Sequence, residues 1–308
     1  MLVTRSLKMD YGKTNRVPEH LYLPESDPKN SFLNQSHSDL KVFVGGPVWA
    51  DPKWKGSLYP PNTTSGEFLK VYGEKLNTVE VNSTYYNRIA ESTIKSWCAK
   101  VPKDFKFFVK WPKEISHERQ LLRCEALALE FLSDLDHFGE NLGVSFLQMP
   151  PGFGEGYKTR LFSLIELIRE KDHRPFAVEL RHPSWLDQGG HLKPEVFDFF
   201  KAFQISAVTI DTLGARDVLH TSVPSGPVVV RFLGHGDKAV DDVRIAQWAE
   251  RLEQWVQQGA REVFFYGHLT DNTDAPKLVV ELIKQFKSRF ATDLSPLQLY
   301  QPDQLKLF

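Results

Sequence analysis

Residues 175–181 read PFAVELR, a short apolar run rich in β-forming residues that ends in a glutamate and an arginine. An amphipathic helical stretch, YKTRLFSLIELIRE (157–170), precedes this run. A short buried strand next to a helix is typical of a β-α unit in a parallel sheet. Seven further β-rich runs occur along the chain: KVFVGG (41–46), TVEVNST (78–84), KFFVKW (106–111), LGVSFLQM (142–149), SAVTID (206–211), PVVVRFLG (227–234) and EVFFYGHL (262–269).

Helical stretches separate most of these runs, and only residues 212–226 lack a convincing one. The other clear examples are EALALEFLSDLDHF (125–138), DVRIAQWAERLEQWVQQG (242–259) and DAPKLVVELIKQFKSRF (274–290). Eight strands that alternate with about seven helices predict an α/β fold, a single-domain (β/α)8 TIM-type barrel. A doubly wound open sheet is the alternative, but no G-x-G-x-x-G follows the first run, which weakens a dinucleotide-binding fold.

The chain is predicted to have three regions. Residues 1–39 are polar and contain three prolines, so we expect an extended or irregular arm. Residues 40–290 form the barrel, and residues 291–308 form a C-terminal tail that the barrel does not need.

The composition is that of an ordinary globular protein, with 41% hydrophobic and 25% charged residues in 308. A net charge of −1 argues against a uniformly basic nucleic-acid-binding domain, although a local cluster of cations would be hidden in this average. Two cysteines, Cys98 and Cys124, exclude a disulfide framework and predict buried thiols in a reducing compartment. Because we find neither a signal peptide nor an apolar run of membrane-spanning length, we expect a cytoplasmic protein with no membrane contact.

Polar residues interrupt the apolar strands near their C-terminal ends. Since side chains alternate along a strand, Glu80 and Asn82 share the face opposite to Val79 and Val81. Buried parallel strands normally read as continuous apolar runs, and barrels build their active sites at this end. The pattern therefore predicts a ligand-binding mouth formed by Glu80, Asn82, Lys110, Gln148, Glu179, Arg181, Asp211, Arg231 and Tyr266.

The predicted mouth contains three acids and three cations, and the cations suit an anionic substrate such as a phosphate or a carboxylate. The alternative is that the cations pair with the acids and only make the mouth rigid. Candidate catalytic residues are Glu80, His117, Glu179, His182 and Asp211. Candidate substrate-binding residues are Asn82, Tyr85, Lys110, Trp111, Gln148, Arg181, Trp185, Arg231 and His235.

Four histidines, His117, His182, His235 and His268, follow strand ends or lie in the adjoining loops. Together with the acids they could bind a divalent metal, although no tight metal-ligand spacing is present. His182 could instead act as a general acid or base, or fix its loop through a hydrogen bond. The identity of any cofactor therefore stays open.

Aromatic residues are frequent in the same loops. Rings near a polar mouth can stack on sugars or bases, but more often they pack together and fix the loops. We expect packing for Trp54 and Tyr59 and leave the roles of Trp49, Trp111 and Trp185 open.

Several well-known catalytic motifs are missing. The sequence has no G-x-S-x-G nucleophile elbow and no G-x-x-x-x-G-K-[ST] phosphate loop. Many barrel glycosidases have carboxylates at the ends of strands four and seven, whereas this chain has Gln148 and Arg231 there. A glycosidase is therefore disfavoured.

Four stretches carry a family resemblance: GGPVWADPKWKGSLYP (45–60), LNTVEVNSTYYNRIAESTIKSWCAKVPKDFKFFVKWPKEISHER (76–119), LGVSFLQMPPGF (142–153) and FAVELRHPSW (176–185). In this order they resemble the YecE-like family, a domain of unknown function (number seventy-two), from about Lys41 to Phe290. The resemblance implies a (β/α)8 barrel and no established reaction. The matching positions are Glu80, Asn82, Tyr85, Lys110, His117, Glu118, Arg119, Gln148, Pro150, Glu179, Arg181, His182, Pro183, Trp185 and Arg231.

One segment departs from this family. Relatives typically carry an Asn-Asn-containing segment after the last strand, whereas this chain has YGHLTDNTDAP (266–276). More distantly, the barrel resembles endonuclease-IV-like and xylose-isomerase-like barrels, which use metals held by Glu, Asp and His. That resemblance is at the level of the fold, which does not determine function.

The chain ends in QLKLF (304–308), which resembles the peptide with which bacterial DNA polymerases and repair proteins bind the sliding clamp. In that interpretation Leu305, Leu307 and Phe308 enter an apolar pocket of the clamp and Gln304 makes a polar contact. The alternative is that the tail packs against its own barrel.

Three hypotheses follow from the sequence. The first is a barrel enzyme on a phosphate-containing substrate, for example a metal-assisted phosphoesterase or nuclease-like hydrolase, that a sliding clamp recruits to DNA. The second is a non-catalytic module that binds a small anion or a nucleic-acid end. The third is a small-molecule enzyme, for example on a sugar phosphate, with a structural tail. The sequence does not determine the oligomeric state.

Overall fold

The computed structural model describes residues 17, 21–32 and 39–300 and has the predicted (β/α)8 TIM-type architecture in a single domain. The strands are β1 (Lys41–Gly45), β2 (Thr78–Val81), β3 (Lys106–Lys110), β4 (Leu142–Gln148), β5 (Phe176–Glu179), β6 (Ser206–Asp211), β7 (Val228–Leu233) and β8 (Glu262–His268). The α-helices are α1 (Phe68–Gly73), α2 (Ser83–Tyr86), α3 (Glu91–Cys98), α4 (Glu125–Leu135), α5 (Lys158–Lys171), α6 (Pro194–Ala202), α7 (Lys238–Gln257) and α8 (Ala275–Arg289).

All paired strands are parallel, in the order β1-β8-β7-β6-β5-β4-β3-β2. The barrel is nearly closed between β1 and β2, where the Glu80 amide donates to the Gly46 carbonyl at 3.0 Å. Gly45 allows this approach, because a Cβ atom there would lie 2.0 Å from the carbonyl oxygen of Thr78. The missing side chain therefore lets the end of β1 approach the beginning of β2.

The barrel interior is a small aromatic and aliphatic core. It contains Phe43, Phe108, Val144, Phe146, Ala177, Val208, Val229, Phe264 and Tyr266. The opposite faces of the strands pack against the helices and form a larger outer core. Each strand is thus buried on both faces, as a parallel barrel requires.

Two local features can be compared with the sequence pattern. Between β6 and β7, residues Leu213–Val218 form only a 3-10 segment, which confirms that an α-helix is absent there. Helix α7 begins at Lys238, earlier than the periodicity predicts, because the Asp237 side chain accepts from the Ala239 amide at 2.9 Å and caps the helix. Gly259, two residues after the end of α7, has a positive φ of 111° and stops the helix.

The described parts of both terminal regions lie against the barrel. Near the N-terminus, the Asn30 side chain donates to the Thr221 carbonyl at 2.8 Å and accepts from the Val223 amide at 2.7 Å. After α8, Leu294 and Leu297 are buried, and the Tyr300 amide donates to the Ser57 carbonyl at 2.8 Å. The predicted partner-binding residues Gln304, Leu305, Leu307 and Phe308 lie outside the described residues.

Both cysteines are free thiols; Cys124 is buried and Cys98 is half-buried. Within the described ranges, none of the helices has the length and apolar character needed to cross a membrane.

Candidate functional site

Five predicted residues meet at the C-terminal end of the barrel. Glu80 on β2, Lys110 on β3, Gln148 on β4, Glu179 on β5 and Arg231 on β7 all lie on the inward faces of their strands and are buried. They lie next to an aromatic layer in which the Phe108 ring stacks between Phe146 and Tyr266, with centroid distances of 4.0 and 4.5 Å. The alternation rule therefore placed these side chains correctly.

Arg231 is the centre of a buried ionic network. Its guanidinium makes a bidentate contact with Glu80, with Nε–Oε2 and Nη2–Oε1 distances of 2.9 and 2.8 Å. Its Nη1 donates to Glu179 Oε2 at 2.6 Å and to Gln148 Oε1 at 3.2 Å. Arg181 donates through Nε to the other oxygen of Glu179. The alternative considered from the sequence was that the cations pair with the acids of the mouth. The structure shows such pairs for Arg231 with Glu80 and Glu179, and for Arg181 with Glu179.

The network keeps both glutamates ionised. Burial alone would raise the pKa of Glu80, but the Arg231 guanidinium holds it well below its usual range. Burial also opposes ionisation of Glu179, whose pKa is lowered by Arg181 and Arg231. His268 Nε2 lies 3.2 Å from Glu80 Oε2, and burial lowers the pKa of this histidine, so it is neutral near pH 7.

Lys110 differs from the two arginines. In the described part of the chain, its Nζ forms neither an ion pair nor a hydrogen bond, and it lies 4.2 Å from the centroid of the Tyr85 ring. The residue is 8% exposed at the mouth. Burial, with further repulsion from Arg231 and Arg181, lowers the pKa of Lys110 to about 7. This amine can therefore change its protonation state near neutral pH.

His117 lies in a backbone segment with unusual geometry beside Lys110. Its ring packs edge-on against Tyr85, with a centroid distance of 5.3 Å, and its Nδ1 is 2.9 Å from Ser116 Oγ. Burial lowers the pKa of His117 to about 4, and repulsion from the positive charges of Lys110 and Arg181 adds to this effect. The histidine lies in a π-helical turn, Glu114–Glu118, that is followed by three non-glycine residues with positive φ: Gln120, Leu121 and Arg123. Such turns and strained residues are frequent at functional sites.

The predicted position of Asp211 at the mouth is wrong. Inward positions on β6 include Val208, so Asp211, three residues later, faces the outer layer. There its Oδ1 accepts from Arg244 at 2.8 Å and its Oδ2 accepts from the Trp248 indole at 2.8 Å. Asp211 is thus the buried partner of helix α7 and does not meet Glu80 or Glu179.

Two predicted tryptophans also lie away from the mouth. Trp111 follows β3 on the outward face and packs against Phe131 and Phe176, with centroid distances of 5.0 and 5.3 Å. Trp185 is fully buried, and its indole N–H donates to the Phe153 carbonyl at 2.7 Å. The substrate contacts predicted for these two residues are therefore wrong, because both rings pack in the protein interior.

The remaining predicted residues occupy loops. The Asn82 amide donates to the Pro47 carbonyl at 3.1 Å and joins the loops after β1 and β2. His182 accepts from the Ser184 amide at 3.1 Å, which is the loop-fixing role considered for it. His235 is half-buried in the loop after β7, where its backbone amide donates to Asp241. Trp54 and Tyr59 are buried packing residues, as expected.

The acids of the mouth do not fit a metal site. Both oxygens of Glu80 accept hydrogen bonds from Arg231, and both oxygens of Glu179 accept from arginines. Within residues 21–32 and 39–300, no group of three or more His, Cys, Asp or Glu side chains is arranged to hold a metal ion. The two carboxylates therefore act as partners of the arginines, and we assign neither of them a role as a metal ligand.

The prediction left one close contact out. His268 belongs to the mouth through its contact with Glu80, but it was grouped only with the loop histidines. His268 lies two residues after Tyr266 on β8, and alternate residues of a strand share a face. The inward assignment of Tyr266 therefore also predicts an inward His268.

A separate cavity of about 360 Å³ lies on the far side of Tyr85, between the α2–α3 loop and α4. Its lining is apolar at Ile94, Ile115 and Phe131, and Arg88 crosses its rim to Asp134 with an Nε–Oδ2 distance of 2.9 Å. None of the buried ionic groups of the mouth lines it. We therefore assign the chemistry to the mouth.

Comparisons with known proteins agree with the motifs and the fold. A family model described as "Protein of unknown function DUF72" matches residues 43–301. The chain is 26% identical over 255 residues to the UPF0759 protein YecE of Escherichia coli K12. This alignment covers 77% of this chain and 90% of the relative. A DUF72 family protein from Enterococcus faecalis V583 has a TM-score of 0.64 at 20% identity and covers 85% of this chain and 98% of its own. One from Thermotoga maritima MSB8 has a TM-score of 0.63 at 22% identity, with coverages of 80% and 99%.

Proposed function

The chain belongs to the DUF72 family, and we propose that it is an enzyme acting on a phosphate-containing substrate, which binds at the barrel mouth. The observation that carries this proposal is the buried amine of Lys110, which has no acidic partner among the described residues. The two buried carboxylates next to it, Glu80 and Glu179, are already hydrogen-bonded to Arg231 and Arg181.

A buried charge without a counter-ion is costly, and proteins avoid it by neutralising the group or by binding an ion of opposite charge. In the free protein, Lys110 is partly neutralised, which its pKa of about 7 reflects. An anion beside Lys110 would stabilise the protonated amine and raise this pKa. A phosphate group therefore fits the electrostatics of the mouth.

Lys110 also gives the site its chemistry. Proton transfer is most efficient when the pKa of the catalytic group lies near the working pH. Lys110, with its pKa of about 7, can donate a proton in one step and accept it in the next. The permanently charged Arg231 fixes Glu80 and Glu179, so the site does not need to reorganise during the reaction.

Binding of sulfate and phosphate, measured by calorimetry, tests the anion site. Sulfate keeps its charge between about pH 6 and 8, so any pH dependence belongs to the protein. We expect sulfate affinity to fall as the pH rises through the Lys110 pKa, and Lys110→Met to weaken binding about tenfold at low pH and to remove the pH dependence. Lys113→Met is the matched control, because Lys113 is exposed and pairs with Glu118 in the same loop. Equal effects of the two variants would overturn the proposal.

Turnover requires a second experiment. Phosphorylated sugars and phosphate-bearing oligonucleotides would be incubated with the protein and followed by phosphorus NMR. Turnover that Lys110→Met abolishes would support an enzyme. Anion binding without turnover of any of these compounds would support the alternative, a non-catalytic anion-binding module.

Recruitment to DNA by a sliding clamp is also part of the proposal. Its support is the QLKLF sequence, which begins four residues beyond Tyr300, where the chain is hydrogen-bonded to the loop after β1. We expect the intact protein to bind a bacterial sliding clamp, and expect binding to be lost when residues 304–308 are removed and in Leu305→Ala/Phe308→Ala. Absence of binding by the intact protein would point to the alternative, a tail that packs on its own barrel.

A further inference from the structure

A pocket of about 490 Å³ opens beside the ionic network, between the loop after β1 and the end of β2. Its lining includes Pro47, Trp49, Glu80, Asn82, Ser83 and Trp97. Glu80 belongs both to this lining and to the pair with Arg231. The pocket and the ionic network are therefore two parts of one mouth.

One side of the pocket is aromatic. The Trp49 and Trp97 rings are half-buried and meet edge-to-face, with a centroid distance of 5.2 Å and an interplanar angle of 73°. The Tyr59 hydroxyl donates to the Trp49 carbonyl, and Tyr59 itself is buried, so the backbone at Trp49 is held in place. Indole surface of this kind, partly accessible and fixed beforehand, suits the apolar face of a ring.

The other side of the pocket is polar. Ser83 Oγ is buried and has no hydrogen-bond partner among the described residues. The Asn82 side chain uses its amide N–H to reach Pro47, which leaves its carbonyl oxygen as an acceptor. A buried hydroxyl without a partner carries a desolvation penalty, which a hydroxyl group of a ligand would remove.

We propose that this pocket binds the sugar ring of a phosphorylated sugar whose phosphate lies at Lys110. The ring would pack on the indoles of Trp49 and Trp97, and its hydroxyl groups would bond to Ser83 and Asn82. This inference rests on the proposed function, because the phosphate site is the one described there. The sugar phosphate can be free or a unit of a nucleic-acid chain, since both have the same recognised groups.

The test compares the affinities of ribose 5-phosphate and inorganic phosphate for the full-length protein and its variants. We expect ribose 5-phosphate to bind the wild-type protein at least about tenfold more tightly, a gain typical of one stacked ring. Trp49→Ala should remove this advantage and Ser83→Ala should reduce it, and neither should change the affinity for inorganic phosphate. Tyr86→Ala is the control, because Tyr86 is an exposed ring near the mouth that does not line the pocket.

Each outcome has a separate meaning. Equal affinities of the two probes in the wild-type protein would overturn the ring site and leave the phosphate site standing. The ring site would also be overturned if Trp49→Ala lowered the affinities for both probes equally and Trp49→Phe restored both affinities. The Trp49 ring would then only support the fold. No binding of either probe to the wild-type protein would overturn the proposed function itself. If the ring site is supported, a 5′-phosphorylated oligonucleotide should then be tested as a competitor. An affinity higher than that of ribose 5-phosphate would identify nucleic acid as the source of the bound sugar phosphate.

Discussion

Replacing Arg231 by methionine removes the cation that neutralises two buried carboxylates. Arg231 donates four hydrogen bonds, to Glu80, Glu179 and Gln148, and both glutamates are 0% exposed. Methionine retains much of the apolar stem and none of the charge. Among the described side chains that contact its carboxylate, Glu80 would keep the neutral His268. We therefore expect a large loss of stability.

The size of this loss follows from the burial. Removing one partner of a buried ion pair costs about 3–5 kcal/mol, a large part of the roughly 5–15 kcal/mol by which most domains are stable. With a urea m-value of about 3 kcal/mol/M, the unfolding midpoint should fall by about 1–1.7 M.

The loss should depend on pH. Arg231 holds the folded-state pKa of Glu80 well below its usual 4.5. Its stabilisation is therefore present above pH 4.5 and is lost as the pH falls through the lower folded-state value. In the variant, His268 still opposes the effect of burial but the Arg231 guanidinium no longer does, so the pKa of Glu80 rises and ionised Glu80 destabilises the fold at neutral pH. The difference between the two proteins should be largest near pH 7 and should shrink as the glutamates become protonated.

Urea unfolding, followed by far-ultraviolet circular dichroism at about pH 5 and pH 7, measures this difference. The matched control is Arg88→Met, because Arg88 is 61% exposed although it also contacts two acids, Glu130 and Asp134. We expect the control to change the midpoint little at either pH. A loss in Arg231→Met that is no larger than in the control, or that is the same at both pH values, would refute this account of the network.

Two further substitutions test the placement of residues around the mouth. Asp211→Asn should lower stability by about 3 kcal/mol or more, because Arg244 and Arg216 both lose the charge of a fully buried partner, while sulfate affinity stays at the wild-type value; a loss of sulfate affinity without a loss of stability would return Asp211 to the site. Gly45→Ala should destabilise the barrel by about 3 kcal/mol or more, since its Cβ would overlap the Thr78 carbonyl, whereas Gly66→Ala meets nothing within 4 Å and should be neutral in thermal unfolding. Equal midpoints for the two alanine variants would contradict the described closure of the barrel.

The fold could be predicted because the strands are short, apolar and regularly spaced. Each run, such as PFAVELR, is followed by a helix or a turn, and only the segment between β6 and β7 interrupts the alternation. Parity then identified Glu80, Lys110 and Glu179 as inward residues, since these strands are regular up to their ends. The sequence was sufficient for this part of the mouth.

The same rule failed for Asp211 because the last residue of a strand was taken as inward without counting from the core. A shift of one residue moves a side chain to the other face. Val208 sets the inward register of β6, and Asp211 therefore meets Arg244 in the outer layer. Trp111 on β3 has the outward parity as well, and counting from Phe108 would have excluded it.

Pairing could not be predicted, because it depends on distances across the barrel. The sequence contains equal numbers of acids and cations for the mouth and does not say which of them meet. The structure pairs Arg231 with Glu80 and Glu179, leaves Lys110 beside the Tyr85 ring, and assigns the third acid to another layer. The buried Lys110 amine, which supports anion binding because no described acid pairs with it, results from this arrangement.

The titration of Lys110 tests the central claim most directly. The side-chain resonance of Lys110, assigned by comparison with Lys110→Arg in lysine-labelled protein, would be followed by NMR against pH with and without saturating sulfate. We predict a pKa near 7 in the free protein and a rise of at least about one unit with sulfate, because the anion stabilises the protonated amine. A Lys110 amine that titrates near its usual 10.5 in the free protein, or whose pKa sulfate does not change, would contradict an anion site at the mouth.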